Sequence, residues 1–148
     1  MLDHIALEVA DLARAARFYD ALMHPLGGRR IVDSPDGIGY GRDRPEIWIM
    51  PRRANGEAPR GGPGGARDTG RSGHGGAHGD AGARARHGHV AIAAAGRRAV
   101  DAAHRAGIAA GGRDGGAPAP RASGPPNYYS GYLVDPDGAW LELVSGSR

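Results

Sequence analysis

The stretch HIAL at residues 4–7 recurs as HVAI at residues 89–92. In each, a histidine precedes a short alternation that places the larger apolar side chains on one face, which is the pattern of a β-strand with one buried side. Because the two stretches open two similar halves of the chain, they indicate two copies of one unit. A repeat of this kind puts the two histidines at equivalent places in a symmetric fold.

Each strand pattern leads into a helical pattern and then into further short apolar runs. The first helix is expected to begin after Asp11, whose side chain suits an N-cap, and to end at Pro25 and the pair at 27–28. The second is expected to run from about residue 97 to residue 106, with Gly107 as its C-cap. Helices with one apolar side cover one face of a sheet and leave the opposite face free.

The second unit closes with a turn, DPDG at residues 135–138, between two strand patterns. In the last strand Leu141 and Leu143 are expected to face the helix. Glu142 then lies at the centre of the free face, which makes it a candidate for chemistry.

The repeat predicts an α+β fold. Two βαβββ modules, residues 1–51 and residues 88–148, form a curved eight-stranded mixed sheet around a cup, with the helices on the outside. Residues 52–87 between them are rich in Gly, Arg and His and contain no Leu, Ile, Val or Met. We expect a mobile loop there, because such a composition buries too little apolar surface to offset the entropy of ordering.

The composition of the chain excludes some kinds of site and some classes of partner. The absence of Cys excludes disulfides and thiolate metal sites. No apolar run has the length of a membrane span and no secretory signal pattern is present, so we expect a cytoplasmic protein without a membrane partner. The net charge is +3, but residues 52–88 hold seven Arg against three acids and no aromatic side chain for base stacking. We therefore expect no nucleic-acid partner.

The paired modules, the histidine that opens each one and the terminal DPDGAWLEL resemble the vicinal oxygen chelate superfamily. Its members include glyoxalase I, extradiol dioxygenases, and the fosfomycin- and bleomycin-resistance proteins. The resemblance covers roughly residues 1–51 and 87–145 and leaves out the Gly-rich segment. In that superfamily a divalent metal ion sits in the cup, and matching its ligand positions to this sequence implies His4, His89 and Glu142 as metal ligands.

One position departs from the glyoxalase I pattern. Aligning IWI at 47–49 with LEL at 141–143 places Trp48 where such members have a fourth ligand, and Trp cannot bind a metal. A shifted register would instead recruit Glu46. Two histidines and one carboxylate suit Fe(II), Mn(II), Zn(II) or Ni(II), and they leave positions open for a substrate that chelates the metal through two adjacent oxygens.

Further candidates are expected around the cup. Glu142 is also a catalytic candidate, as is Tyr129, which would act as an acid, a base or an orienting donor. Arg121, on a Pro/Gly-rich loop, would bind an anionic substrate, with a solvated loop arginine as the alternative. His24 and His104 are expected at the surface of helices. The remaining substrate-binding candidates are aromatic. Tyr128 and Tyr132 have packing as their alternative role, as Tyr129 does, and Trp48 and Trp140 would supply apolar lining for the ligand.

The resemblance implies a metal-dependent enzyme, a lyase or a dioxygenase, acting on a small molecule. The alternative is a metal-free protein that sequesters a small hydrophobic or cationic drug, as bleomycin-resistance proteins do. The open edges of a curved sheet also favour pairing of two copies into a homodimer. The sequence leaves the metal, the substrate and the reaction open.

Overall fold

The computed structural model describes residues 2–52, 88–122 and 125–146, so the predicted loop lies outside them apart from its first residue. The helices are α1 (Leu12–Met23) and α2 (Arg97–Ala109), and a 3₁₀ turn (His24–Leu26) follows α1. The strands of the first half are β1 (Ile5–Val9), β2 (Arg29–Ser34), β3 (Gly37–Gly41) and β4 (Ile47–Pro51). Those of the second half are β5 (His89–Ala93), β6 (Arg113–Pro120), β7 (Tyr129–Val134) and β8 (Trp140–Ser145).

The strands form two mixed four-stranded sheets, with orders β1-β4-β3-β2 and β5-β8-β7-β6. In each sheet the first strand pairs in parallel with the last, and the other pairs are antiparallel. Each half therefore has the order βαβββ, and the predicted α+β fold of two such units is confirmed. The eight strands are divided between two open sheets, with β1 and β5 each at an edge.

The first helix begins as its sequence predicts. The Asp11 side chain accepts a hydrogen bond from the backbone N–H of Arg14 at 2.9 Å. After the 3₁₀ turn, Gly27 adopts a left-handed conformation with φ 75° and reverses the chain.

The second helix runs past Gly107 to Ala109, so the expected C-cap at Gly107 is wrong. Gly107 serves packing instead. A Cβ at this position would lie 2.6 Å from Cδ1 of Leu133 and 3.3 Å from Cδ1 of Leu22, so the missing side chain lets α2 approach its neighbours closely. Neither α1 nor α2, the two α-helices in the described ranges, has the length and apolar character needed to cross a bilayer.

A hydrogen-bond network joins the two halves, and its Tyr19–Asp135 bond is buried. The Tyr19 hydroxyl on α1 donates to Oδ2 of Asp135 in the DPDG turn at 2.8 Å. Oδ1 of Asp135 accepts the backbone N–H groups of Asp137 and Ala139, at 2.9 and 2.8 Å. Oδ1 of Asp137 accepts the backbone N–H of Ala10 at 2.8 Å. The turn between β7 and β8 thus fixes the second half against the start of α1.

Candidate functional site

The strand register shows which positions of the two halves are equivalent. In the second half Ala91, two residues after His89, pairs with Glu142. In the first half Ala6, two residues after His4, pairs with Trp48. Trp48 is therefore the counterpart of Glu142, as the sequence alignment predicts. Trp140 precedes Glu142 by two residues, just as Glu46 precedes Trp48, so the acid and the tryptophan exchange places between the halves.

The centre of the candidate site is a carboxylate–imidazole pair on the second sheet. Nε2 of His89 lies 3.1 Å from Oε2 of Glu142. The Glu142 side chain is 5% exposed, whereas that of His89 is 45% exposed. The Tyr128 hydroxyl donates to the other carboxylate oxygen, Oε1, at 3.1 Å. A buried carboxylate is thus held in place, with an imidazole beside it that solvent reaches.

An aromatic ring and a cation flank this pair. The Tyr132 ring meets the His89 ring edge to face, with centroids 5.8 Å apart and planes at 84°. Cζ of Arg121 lies 5.3 Å from the centroid of the same tyrosine ring. Nε of Arg121 donates to Oγ of Ser130 at 3.1 Å, and Nη2 donates to the Ser130 carbonyl at 3.0 Å. These bonds hold the guanidinium over Tyr132.

The environment keeps both tyrosines of this cluster protonated. Burial raises the pKa of Tyr128, and its hydrogen bond to Glu142 raises that pKa further. Burial likewise raises the pKa of Tyr132, and a hydrogen bond to Glu142 contributes next. Both phenols are therefore neutral hydrogen-bond donors near pH 7.

The structure does not place Tyr129 in this cluster. Side chains alternate along a strand, so Tyr128 and Tyr132 share a face while Tyr129 lies on the other. The Tyr129 hydroxyl donates to Oδ1 of Asp101 on α2 at 2.7 Å, and Cζ of Arg97 lies 5.3 Å from its ring centroid. Its contacts are those of a residue that ties the helix to the sheet.

His4 also lies apart from the His89–Glu142 pair. Its Nδ1 is 2.8 Å from Oδ2 of Asp3, whose other oxygen accepts from Arg44 at 2.7 Å. Among residues 2–52, 88–122 and 125–146, no three His, Cys, Asp or Glu side chains are arranged to hold a metal ion. A single chain thus brings together two of the three implied ligands. Trp48 lies on β4 of the first sheet, and His4 directly precedes β1 of that sheet.

A cleft of about 350 Å³ lies between the two halves. Its wall includes His4 and the β5 residues from Val90 to Ala93, but neither His89 nor Glu142. Nη2 of Arg42 crosses from one half to the other and donates to the carbonyl oxygen of Ala93 at 3.1 Å. His4 therefore lines the cleft, whereas the His89–Glu142 pair lies outside its wall.

The sequence interpretation missed two residues near the site. Ser130, which holds Arg121, gave no signal beyond its place in a strand. His104 was expected at the surface, but its side chain is 7% exposed and its Nε2 lies 3.1 Å from the Tyr132 carbonyl oxygen. The spacing of residues along α2 could have predicted this burial, because residue 104 shares a face with Val100 and Gly107, which are both buried. His24 is exposed, as predicted.

Comparison with known proteins identifies the family. The family model of the Glyoxalase/Bleomycin resistance protein/Dioxygenase superfamily matches residues 1–143. The chain belongs to this superfamily. Members of the glyoxalase superfamily bind small-molecule substrates and commonly bind divalent metals. None of the curated proteins matches the chain.

Solved structures of the glyoxalase superfamily share the fold. A glyoxalase/bleomycin resistance protein from Albidiferax ferrireducens T118 is 26% identical with a TM-score of 0.67, and the match covers 97% of both chains. A lactoylglutathione lyase from Agrobacterium tumefaciens is 20% identical with a TM-score of 0.59, covering 99% of this chain and 94% of the other. The fosfomycin resistance protein FosX from Mesorhizobium loti is 19% identical with a TM-score of 0.58, covering 99% and 92%. At these lower identities the likeness concerns the fold alone.

Proposed function

We propose that the chain is a divalent-metal-dependent enzyme of the glyoxalase and dioxygenase type, a lyase or a dioxygenase. Its substrate is a small molecule that chelates the metal through two adjacent oxygens. One observation supports this most directly: the buried Glu142 carboxylate is fixed by Tyr128 and lies 3.1 Å from Nε2 of His89. A carboxylate oxygen and an imidazole nitrogen this close are donors that Fe(II), Mn(II), Zn(II) and Ni(II) accept.

The residues around the pair have supporting roles in this proposal. Tyr128 holds Oε1 of Glu142 and so leaves Oε2 directed at the metal position, as outer-shell partners of metal ligands do. Arg121, fixed by Ser130, presents a cation to an anionic group of the substrate. The bound ion would supply Lewis acidity to the chelated substrate oxygens.

The third ligand, His4, would come from a second copy of the chain. His4 is half exposed and precedes β1, an edge strand whose free side can pair with another chain. In a two-fold homodimer, each site then takes His89 and Glu142 from one chain and His4 from its partner. His4 also lines the cleft between the two halves, so its half-exposed imidazole faces open space in a single chain.

A metal-free binding protein is the second candidate function. It is favoured by the flat ring of Tyr132 beside His89 and by the separation of His4 from the pair within one chain. Such a site would hold a small hydrophobic or cationic molecule against the aromatic rings. Metal binding separates the two candidates, because sequestration requires no ion.

The test is metal binding by the full chain, purified without chelator or affinity tag and incubated with Mn(II), Fe(II), Zn(II) or Ni(II). We expect about one ion per chain, measured by elemental analysis, which is the stoichiometry of a three-ligand site. His89→Ala should lose the ion. His24→Ala, which removes an exposed histidine elsewhere, should retain it. A wild-type protein that binds none of these ions would contradict the proposal and favour the metal-free candidate.

A further inference from the structure

A hydrogen-bond clamp lies between α2 and the second sheet, formed by a buried imidazole and a carboxylate that is 55% exposed. Nε2 of His104 is 3.1 Å from the Tyr132 carbonyl oxygen and 3.2 Å from Oδ1 of Asp114. The His104 side chain is 7% exposed. Both neighbouring oxygens are acceptors, so Nε2 carries a proton and donates toward them. The clamp thus links the helix to β6 and β7 at one point.

The same carboxylate shapes a bulge in β6. Oδ1 of Asp114 accepts the backbone N–H of Gly116 at 2.8 Å. In the pairing of β6 with β7, Asp114 is opposite Leu133 and Gly116 is opposite Tyr132, so Gly115 is an extra residue. Such a bulge locally bends and twists the strand that contains it.

The bulge lies directly against Tyr132 of the candidate site and against Trp140, a substrate-binding candidate from the sequence. A Cβ at Gly115 would lie 3.0 Å from Cζ3 of Trp140 and 3.2 Å from Cβ of Tyr132. Gly116 has φ +152°, a backbone conformation that residues other than glycine rarely adopt. The backbone of β6 can therefore approach these residues only with this local geometry.

We infer that His104 and Asp114 are positioning residues for the His89–Glu142 pair, acting through Tyr132. The clamp fixes the Tyr132 carbonyl and the bulge opposite it, and the Tyr132 ring meets His89 on one side and Arg121 on another. Releasing the clamp lets Tyr132 shift. The His89 imidazole, which packs against the Tyr132 ring, then loses its fixed orientation. The consequence for metal affinity rests on the proposed function; the consequence for His89 does not.

Packing alone does not account for a histidine at this position. The same face of α2 is otherwise lined by small or apolar residues, including Val100 and Ala103. A buried imidazole costs desolvation that a leucine side chain would avoid, so its hydrogen bonds are what distinguish it there.

Two variants of His104 separate positioning from packing, tested in the full chain. His104→Leu fills the space without a donor, whereas His104→Gln keeps an amide N–H near the position of Nε2. Val100→Ala on the same helix is the matched control, because it removes buried volume without touching the clamp. The readouts are the imidazole resonances of His89 in ¹H–¹³C correlation spectra and the dissociation constant for Mn(II).

We expect His104→Leu to move the His89 resonances and to weaken Mn(II) binding about 10-fold, as loss of outer-shell support does. His104→Gln should resemble the wild type, and Val100→Ala should lower stability without moving the resonances. Unmoved His89 resonances in His104→Leu, or an equal movement in Val100→Ala, would overturn the inference. A wild type that binds no Mn(II), with resonances that move only in His104→Leu, would uphold the positioning role and refute the proposed metal-dependent function.

Discussion

The hydroxyl of Tyr19 joins the two halves of the chain, and Tyr19→Phe removes it without changing the ring. Tyr19 is fully buried and Asp135 is 3% exposed, with 2.8 Å between the hydroxyl and Oδ2. Burial, and then the Asp135 charge, raise the pKa of Tyr19 far above its usual value, so the group is a donor at every accessible pH. The substitution leaves a buried carboxylate oxygen without this bond, which costs about 2–3 kcal/mol of unfolding free energy.

Tyr40→Phe is the matched control in the same core. The Tyr40 hydroxyl donates to Oδ1 of Asp20 at 2.8 Å, but the Asp20 side chain is 46% exposed and also binds Arg30. Water can replace the lost donor there, so we expect a loss of about 1 kcal/mol. Urea unfolding with linear extrapolation measures both values. A Tyr19→Phe loss below about 0.5 kcal/mol, within the range of ordinary surface changes, would refute the reasoning.

Two further stability predictions concern a helix cap and a crowded glycine. Asp11→Ala should lower the melting temperature by removing the cap at Arg14 N–H, whereas Asp11→Asn should retain it. That hydrogen bond lowers the pKa of Asp11 below its usual value of 3.8. The stabilisation by the cap is therefore present above pH 3.8 and is lost as the pH falls through the lowered pKa. Thermal melts at decreasing pH should show this loss of stabilisation in the wild type and not in Asp11→Asn. Gly41→Ala should cost about 3 kcal/mol in urea unfolding because the new Cβ would lie 1.9 Å from the Arg44 carbonyl oxygen. Gly88→Ala, with no atom within 4 Å, should cost little, and equal losses would contradict the steric explanation.

The face of the sheet on which each strand residue lies was predictable, because side chains alternate between the two faces with a period of two. Once Ile5 and Val90 are assigned to buried faces, the histidines before them and Glu142 follow by alternation and register. The same rule separates Tyr129 from Tyr128 and Tyr132, although it does not say which face carries the site until the helix contacts are known.

What the sequence could not provide was the packing of one half on the other. Whether His4 meets His89 depends on contacts such as Tyr19 with Asp135, which are 116 positions apart. The burial of His104 and the role of Gly107 arise from the same packing, since both lie where α2 contacts its neighbours. A glycine near a helix end favours a C-cap locally, and tertiary packing overrode that preference here.

The shared metal site can be tested most directly by mixing two inactive half-sites. His4→Ala and Glu142→Gln are each expected to bind no Mn(II) in isolation. After subunit exchange in an equal mixture, half of the dimers are mixed and each has one intact site, so binding should return to about one quarter of the wild-type stoichiometry. A wild type that binds Mn(II), together with a mixture that binds none, would contradict a site shared between two copies.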